Sequence, residues 1–270
     1  MNEDSRNFYA RFASLYHLIY PDWDASMQRQ AAMLDSIIRE TWGTDAHSVL
    51  DVSCGIGTQA LGLAKLGYEV TASDLSPEEV ERARREAASR NLTITFSTAD
   101  MRESFTHHNR QLDVVISCDN SVPHLLTDND ILTAFRQFYQ CTRPGGGCIV
   151  SVRDYEKEDL SKQQIKPYGI REENGTRWLL WQVWDPHGPT YDATFYFVED
   201  HGGSECRAYV LRLTYYAVTI PKLMDLMRQS GFEDVRRLDD RFFQPVIAGT
   251  KKAQQPHAPD GISATLQRRR

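Results

Sequence analysis

Two glycines and a later carboxylate form the most chemically informative pattern in the sequence. Gly55 and Gly57 follow an apolar run at 49–52, and the next apolar run ends at Asp74. Glycine lets the backbone turn tightly and approach a ligand closely, because it has no Cβ. A carboxylate at the end of the neighbouring strand can accept hydrogen bonds from ribose hydroxyls. The spacing therefore predicts a nucleoside-binding site at one edge of a sheet.

The residues around the loop favour one of two nucleoside cofactor classes. A dinucleotide-binding loop would have its first glycine where this chain has Ser53, so the chain does not fit the pattern there. The same pattern allows a glycine or an alanine at the later position, where this chain has Ala60. Asp51 precedes the loop, where its carboxylate would repel a pyrophosphate and attract a cation. S-adenosylmethionine carries a sulfonium and an ammonium group and no phosphate. The loop therefore favours S-adenosylmethionine, and an NAD-dependent oxidoreductase is the alternative.

Polar side chains also follow the next three predicted strands. Asp100 can accept a hydrogen bond from the amino group of adenine, and Met101 can cover the ring. Asn120 follows the fourth strand, and His124, four residues later, can act as a base. Arg153 ends the fifth strand, where a guanidinium can hold an acceptor carboxylate through two hydrogen bonds. Because parallel strands end at one edge, these side chains predict an acceptor site beside the nucleoside.

Structural roles are open for several of these side chains. Arg153 can pair with Asp154 or Glu156, and the imidazole of His124 can be a packing group. Tyrosines of the later segments can surround a cationic methyl group with their ring faces or pack in a core. The tyrosines considered for the site are Tyr155, Tyr196 and Tyr215, with Tyr216 as the alternative to Tyr215.

Alternating apolar and amphipathic segments predict the elements that position these residues. Such alternation implies an α/β fold with a doubly wound, Rossmann-like sheet of seven strands. Strands are predicted at 48–53, 69–73, 93–97, 112–117 and 147–152, helices at 58–66, 77–90 and 128–141, and a turn at 143–147. After a helix over 220–230, the last two strands are predicted at 235–238 and 243–248.

Changes of pattern divide the chain into four predicted parts. Residues 1–40 form an N-terminal helical latch, in which Asp24 caps a helix through Ile38. Residues 41–160 and 217–250 form the Rossmann-like domain. Apolar and polar positions alternate within 161–216, which predicts an inserted antiparallel β cap. The polar tail, 251–270, is expected to be disordered.

Composition excludes several classes of function. The chain has 270 residues and a net charge of −6, which argues against nucleic acid as the main partner. Its five cysteines form no metal-like spacing, so we expect no metal and a reducing, cytoplasmic location. No apolar run is long enough to cross a bilayer. These features predict a cytoplasmic protein with a small-molecule substrate.

The successive motifs resemble a known family. D-V-S-C-G-I-G-T, A-S-D-L-S, T-A-D-M-R, I-S-C-D-N-S-V-P-H-L and R-P-G-G-G are similar to the motifs of class I S-adenosylmethionine-dependent methyltransferases. Within that group the chain resembles the glycine and glycine/sarcosine N-methyltransferases, over roughly residues 8 to 250. That family commonly has asparagine–tryptophan where this chain has Asp100 and Met101. Its tetramers are closed by an N-terminal arm that is short here, so we expect a monomer or dimer.

The resemblance also assigns site residues. It implies that the backbone of Cys118 meets the methionine ammonium, that Arg29 reaches the methionine carboxylate, and that the N-terminal aromatics form a latch. From the residues and the resemblance together, the predicted cofactor contacts are Tyr20, Arg29, Asp51, Cys54, Gly55, Gly57, Asp74, Leu75, Asp100, Met101 and Cys118. The predicted acceptor contacts are Tyr16, Trp23, Asn120, Arg153, Tyr155, Tyr196 and Tyr215, and the predicted catalytic set is Asn120, His124 and Arg153.

Together these features predict an S-adenosylmethionine-dependent methyltransferase. Its acceptor is predicted to be the amine of a small carboxylate-bearing molecule, such as glycine, sarcosine or a relative. An O-methyltransferase of a small natural product uses the same core, with the aromatic cap as an apolar pocket. A non-catalytic cofactor sensor is a further alternative.

Overall fold

A seven-stranded sheet forms the centre of the computed structural model, which describes residues 12–253. Its strands are β1 (Ser48–Asp51), β2 (Glu69–Asp74), β3 (Thr95–Thr98), β4 (Leu112–Ser117), β5 (Thr142–Ser151), β10 (Glu233–Leu238) and β11 (Val246–Thr250). The first five strands are parallel, and β11 runs antiparallel between β5 and β10. The order across the sheet is β10-β11-β5-β4-β1-β2-β3. The predicted seven-stranded α/β sheet is therefore confirmed.

Helices cover both faces of this sheet. The helices are α1 (Trp23–Trp42), α2 (Thr58–Lys65), α3 (Pro77–Ser89), α4 (Ser104–His108), α5 (Asp128–Cys141) and α6 (Ile220–Gln229). Side chains of β1 alternate between two cores, as a strand requires. Val49 packs with Leu34 of α1 and Leu63 of α2, whereas Leu50 packs with residues of α5 and α6, such as Phe135. A sheet buried on both faces explains why the strand centres are continuously apolar.

A second sheet of four antiparallel strands follows β5 in the chain. Its strands are β6 (Gln164–Glu173), β7 (Thr176–His187), β8 (Thr190–Asp200) and β9 (Arg207–Tyr216), and each pairs with the next. Alternate side chains of one face, including Trp178, Trp184 and Phe195, form a core with Phe12 and Leu18 of the N-terminal segment. This second sheet is the predicted antiparallel insertion, and we call it the cap sheet. The domain boundaries assigned from the sequence stay a prediction.

Several predicted boundaries were wrong. The cap of α1 is Asp22, whose side chain accepts a hydrogen bond from the Ala25 amide at 2.9 Å, so Asp24 lies inside the first turn. Strand β5 begins at Thr142, which pairs with Leu112, whereas residues 143–146 have no partner in β4 and form a bulge before pairing resumes at Gly147. The last strand begins at Val246. Predictions for residues 1–11 and 254–270 lie outside the described residues.

Close packing of α1 against α2 depends on Gly62. A Cβ at this position would lie 2.7 Å from Ala31 Cβ and 2.8 Å from the Met27 carbonyl oxygen. We expect Gly62→Ala to lower the free energy of unfolding by about 1–3 kcal/mol, because overpacking outweighs the better helix propensity of alanine. Gly203→Ala is the control, since a Cβ there meets nothing within 4 Å. Chemical denaturation measures both, and equal stabilities would contradict the expectation.

The helices of residues 12–253 include none with the length and apolar character that a bilayer span needs.

Candidate active site

A cavity of about 630 Å³ lies at the carboxyl ends of the parallel strands, between the main sheet and the cap sheet. The glycine loop after β1, the end of β2 and the chain after β3 line one part of it. Residues after β4 and β5 and the inner face of the cap sheet line the rest. Its size suits a small-molecule ligand. Thirteen of the predicted site residues line this cavity: Tyr16, Tyr20, Cys54, Gly55, Asp74, Leu75, Asp100, Met101, Cys118, Asn120, His124, Arg153 and Tyr215.

Asp74 connects the glycine loop to the start of α3. Its carboxylate accepts hydrogen bonds from the Gly55 amide at 2.9 Å and the Ser76 amide at 3.0 Å. Gly55 has a φ of 51°, and a Cβ there would meet only a Glu79 oxygen, at 3.9 Å. The backbone is therefore open to a ligand at this point. Carboxylate oxygens have further lone pairs, so Asp74 can also accept hydrogen bonds from two vicinal hydroxyls.

Glu79 adds a second acid beside Asp74, which the sequence analysis did not single out. It lies in the first turn of α3, is 7% exposed and lines the cavity. Burial and the neighbouring Asp74 carboxylate raise the pKa of Glu79 well above its ordinary value. Burial raises the pKa of Asp74 as well. The two adjacent acids offer acceptor oxygens to a sugar, and whichever holds a proton can also donate a hydrogen bond. The closeness of Glu79 to Asp74 depends on the direction in which α3 leaves the end of β2. Residue spacing alone does not show that direction.

Asp51 is buried behind the glycine loop and does not line the cavity. One oxygen accepts a hydrogen bond from the Ser53 amide at 3.2 Å, and the other has no partner among residues 12–253. Burial raises the pKa of Asp51 to about 7. Because an unpartnered buried carboxylate is stabilised by nearby positive charge, this acid fits a cationic ligand on the loop and disfavours a pyrophosphate. The structure thus fits the predicted S-adenosylmethionine.

Arg153 is the central cation of the other part of the cavity. Its Nη1 donates a hydrogen bond to the Tyr191 hydroxyl at 3.3 Å, and its guanidinium carbon lies 4.5 Å from the centre of the Trp184 ring. Within residues 12–253 no carboxylate oxygen lies within 4.0 Å of the guanidinium. Asp154, the alternative partner, instead accepts a hydrogen bond from Arg237 at 2.8 Å. The guanidinium therefore faces the cavity with its charge uncompensated by an ion pair.

Asn120 joins the two sheets around Arg153. Its Oδ1 accepts a hydrogen bond from the Arg153 backbone amide at 3.0 Å, and its Nδ2 donates to the Tyr155 hydroxyl at 2.8 Å. The Tyr155 hydroxyl lies 3.1 Å from that of Tyr191, which accepts from Arg153. This closed ring of hydrogen bonds fixes the position of the guanidinium. Tyr155 is buried behind the cavity wall, so its hydroxyl acts through this ring.

Comparisons with known proteins identify the central part of the fold. Residues 49–146 match the family described as "Methyltransferase domain". Residues 49–146 form a methyltransferase domain. This match confirms the predicted class, methyltransferases that use S-adenosylmethionine, for the part of the chain that carries the glycine loop and Asp74.

Relatives of the methyltransferase domain differ in the acceptors that their names state. A glycine/sarcosine N-methyltransferase of Parasynechococcus marenigrum is 30% identical over 136 residues, which cover 50% of this chain and 47% of that protein. A ubiquinone biosynthesis O-methyltransferase of Cereibacter sphaeroides is 23% identical over 262 residues, covering 97% of this chain and 90% of that protein. The predicted resemblance to glycine/sarcosine N-methyltransferases is confirmed, and the chain spans about half the length of those relatives.

Solved structures share the fold beyond the methyltransferase domain. DesVI of Streptomyces venezuelae has a TM-score of 0.76 and 20% sequence identity, covering 88% of this chain and 97% of that one. A likeness over 88% of the chain extends well beyond residues 49–146 and includes at least part of the cap sheet.

Six predicted site residues do not line the cavity: Trp23, Arg29, Asp51, Gly57, Tyr155 and Tyr196. Trp23 contacts a residue that lines the cavity, because its Nε1 donates a hydrogen bond to the Thr58 hydroxyl at 2.9 Å. Arg29 donates to Ser26 within α1 at 2.8 Å. Gly57 has a φ of 98° and precedes α2. Tyr196 stacks on Trp181, with ring centres 5.1 Å apart. Their predicted direct contacts with ligands stay predictions.

Asp119 and Gln182 are polar residues of the cavity that were not assigned as site residues from the sequence. Asp119 follows Cys118 and accepts hydrogen bonds from the hydroxyls of Tyr20 at 2.8 Å and Tyr16 at 3.4 Å. Gln182 of β7 donates to the Tyr168 hydroxyl at 3.0 Å. In the sequence, Gln182 occupies the strand face of Trp178, Leu180 and Trp184, and a polar residue in such an apolar series was the available signal.

His124 lines the cavity with its ring centre 4.3 Å from that of Tyr215. Desolvation by the protein around the ring lowers the pKa of His124 to about 4, although part of the side chain is exposed to solvent. The imidazole is therefore neutral at pH 7, and a base with so low a pKa is inefficient there. We expect His124→Gln to change kcat less than about tenfold, compared with His107→Gln as an exposed control. A thousandfold loss of kcat in His124→Gln alone would instead support its predicted role as a base.

Proposed function

We propose that this protein transfers a methyl group from S-adenosylmethionine to the amine nitrogen of a small acceptor that carries a carboxylate. The observation that supports this acceptor class is the guanidinium of Arg153, which faces the cavity with no carboxylate partner among residues 12–253. A half-buried charge without an ion partner is costly. An acceptor carboxylate would compensate it through the paired geometry that arginine favours.

The surroundings of Arg153 support selection of a small acceptor. The Trp184 ring and the hydroxyls of Tyr191 and Tyr155 fix the guanidinium from behind. Phe195, Tyr168 and Tyr215 complete the wall, so the acceptor would be enclosed by aromatic rings. Ring faces also stabilise cations such as a developing methylammonium.

The chain's own residues would mainly orient the reactants and exclude water. Bound at the loop, S-adenosylmethionine supplies an activated methyl group on a good leaving group. Arg153 would hold the acceptor carboxylate, and the ring of hydrogen bonds through Asn120 would fix that anchor. Fixed alignment of a nucleophile with the methyl carbon supplies much of the rate enhancement in such displacements.

One relative supports the proposed acceptor class, and the cysteines support the expected location. The glycine/sarcosine N-methyltransferase named above is a relative whose name states a carboxylate-bearing amine as acceptor. All five cysteines are unpaired, which supports the expected cytoplasmic location.

Product mass with isotope-labelled S-adenosylmethionine tests the acceptor class. The panel would contain glycine, sarcosine, larger amino acids, amines without a carboxylate and phenols. We expect labelled methyl groups on carboxylated amines. Turnover of phenols with no turnover of any carboxylated amine would overturn the proposal.

An O-methyltransferase of a small natural product is the second candidate. It is favoured by the similarity to a ubiquinone biosynthesis O-methyltransferase over 97% of this chain and by the aromatic wall of the cavity. The phenols of the same panel distinguish the two candidates, because a phenol offers oxygen and no carboxylate.

A further inference from the structure

Asp119 presents a carboxylate to the same cavity in a constrained backbone conformation. It follows β4, has a φ of 57°, and its amide donates to the Ser151 hydroxyl at 2.8 Å. One carboxylate oxygen accepts from Tyr20 at 2.8 Å and Tyr16 at 3.4 Å, and the other accepts from Gln244 at 3.4 Å. The carboxylate is therefore held in place from several sides.

All of these donors are neutral. No lysine, arginine or histidine nitrogen lies within 4.0 Å of the Asp119 carboxylate in the part of the chain that the structure describes. Burial raises the pKa of Asp119 above its ordinary value, which makes the carboxylate a better proton acceptor. An anion in these surroundings fits a cationic ligand group.

Asp119 and Arg153 line one cavity without forming an ion pair with each other. The Arg153 charge lowers the pKa of Asp119 from a distance, so the two groups lie in the same electrostatic neighbourhood, yet more than 4.0 Å apart. Each is fixed by its own hydrogen bonds, Asp119 to Tyr20 and Arg153 to Tyr191. A cavity with a fixed anion and a separate fixed cation is complementary to a zwitterion.

We infer that Asp119 binds the ammonium group of the acceptor and takes its proton, so that the cavity recognises a zwitterionic amino acid between Asp119 and Arg153. This inference rests on the proposed function. It assigns a catalytic residue and adds the group that recognises the ammonium form of the acceptor amine.

The proton and electron balance of this step is simple. One N–H bond of the ammonium breaks, its proton goes to the Asp119 carboxylate oxygen that Gln244 contacts, and the electron pair stays on nitrogen. That lone pair then forms the bond to the methyl carbon, while the electron pair of the breaking carbon–sulfur bond goes to sulfur. The product is a methylated ammonium group, and Asp119 returns its proton to solvent when the product leaves.

The test compares Asp119→Asn with the wild-type protein. Asparagine is tolerated at positive φ, as the neighbouring Asn120 shows with a φ of 66°. Asp119→Gly is the second variant, because glycine keeps the turn and removes the side chain. Asp128→Asn is the matched control, since Asp128 bonds to Tyr216 and Lys222 and does not line the cavity.

Two measurements are made on each protein. Calorimetry gives the Kd of S-adenosylmethionine and, in the presence of S-adenosylhomocysteine, the Kd of glycine and sarcosine. Steady-state kinetics gives kcat and KM for the same acceptors. We expect both Asp119 variants to bind these amino acids at least tenfold more weakly and to lose at least a hundredfold in kcat/KM, with the Kd of S-adenosylmethionine changed less than threefold.

The outcomes separate the inference from the proposed function. Wild-type protein that methylates amino acids, with Asp119 variants equal to it, would overturn the inference alone. A large rise in the Kd of S-adenosylmethionine with unchanged acceptor binding would assign Asp119 to the cofactor ammonium and also overturn it. Wild-type protein that neither binds nor methylates any amino acid would overturn the proposed function and the inference with it.

Discussion

Replacing Asp74 by alanine is expected to weaken the binding of S-adenosylmethionine by at least about a hundredfold, because two charge-assisted hydrogen bonds to the ribose would be lost. The same change removes the acceptor for the amides of Gly55 and Ser76, so the glycine loop would also lose its anchor. Equilibrium dialysis with radiolabelled S-adenosylmethionine measures the effect. Asp74→Asn is expected to fall between alanine and the wild type, since an amide keeps one acceptor oxygen.

The control for Asp74 is Glu78→Ala. Glu78 is the second residue of α3 and accepts a hydrogen bond from the Ser76 hydroxyl at 3.1 Å. It does not line the main cavity. Its removal deletes a charge near the loop without deleting a ligand contact. Equal retention of S-adenosylmethionine by Asp74→Ala and Glu78→Ala would refute the assignment of Asp74.

Arg153→Ala has the second of the two largest expected effects. Loss of the guanidinium is expected to raise KM for a carboxylated amine at least about thirtyfold, because truncating one partner of a buried charge pair costs about 2 kcal/mol or more. Binding of S-adenosylmethionine is expected to stay nearly unchanged, since Arg153 lies in the acceptor part of the cavity. Steady-state kinetics and calorimetry measure the two effects separately.

Two variants test the reason for this effect. Arg153→Lys keeps the charge but loses the hydrogen-bonding fork and the stacking on Trp184, so it is expected to recover only part of the affinity. Arg207→Ala removes an exposed arginine of β9 and is expected to leave KM unchanged. If Arg153→Ala changes KM equally for acceptors with and without a carboxylate, the proposed anchor is wrong.

Strand order made the cofactor part of the site predictable from the sequence. Parallel strands end at a common edge, so residues that directly follow β1, β2, β3 and β4 come together whatever the details of packing. Gly55, Asp74, Met101 and Cys118 all line the cavity for this reason. The seven-stranded sheet was predictable on the same basis, from the alternation of strands and helices.

Residues of the cap sheet were harder to assign because side chains alternate between its two faces. A shift of one residue exchanges the faces. Tyr196 was predicted as a site residue, yet its neighbour Phe195 lines the cavity, and Tyr196 stacks on Trp181 instead. The sequence contains apolar residues on both faces of β8, so its pattern did not reveal which face is inside.

Residues of α1 were uncertain for a related reason. Trp23 and Arg29 lie on the same helix, and their contacts depend on its rotation and starting residue. The helix begins after Asp22 and not after Asp24, so Trp23, which was expected to precede the helix, is its first residue. Asp119 escaped assignment because its orientation depends on a positive φ, which sequence spacing does not indicate.

The connectivity of the cap sheet has an evolutionary consequence. All four of its strands come from one uninterrupted stretch, and within residues 12–253 each pairs only with others of that stretch. Selection can therefore remodel this stretch, or exchange it for that of another lineage, while the donor-binding half is inherited unaltered. New acceptor preferences would then arise by exchange of this one segment, provided that the new cap sheet fits against Asn120 and Asp119.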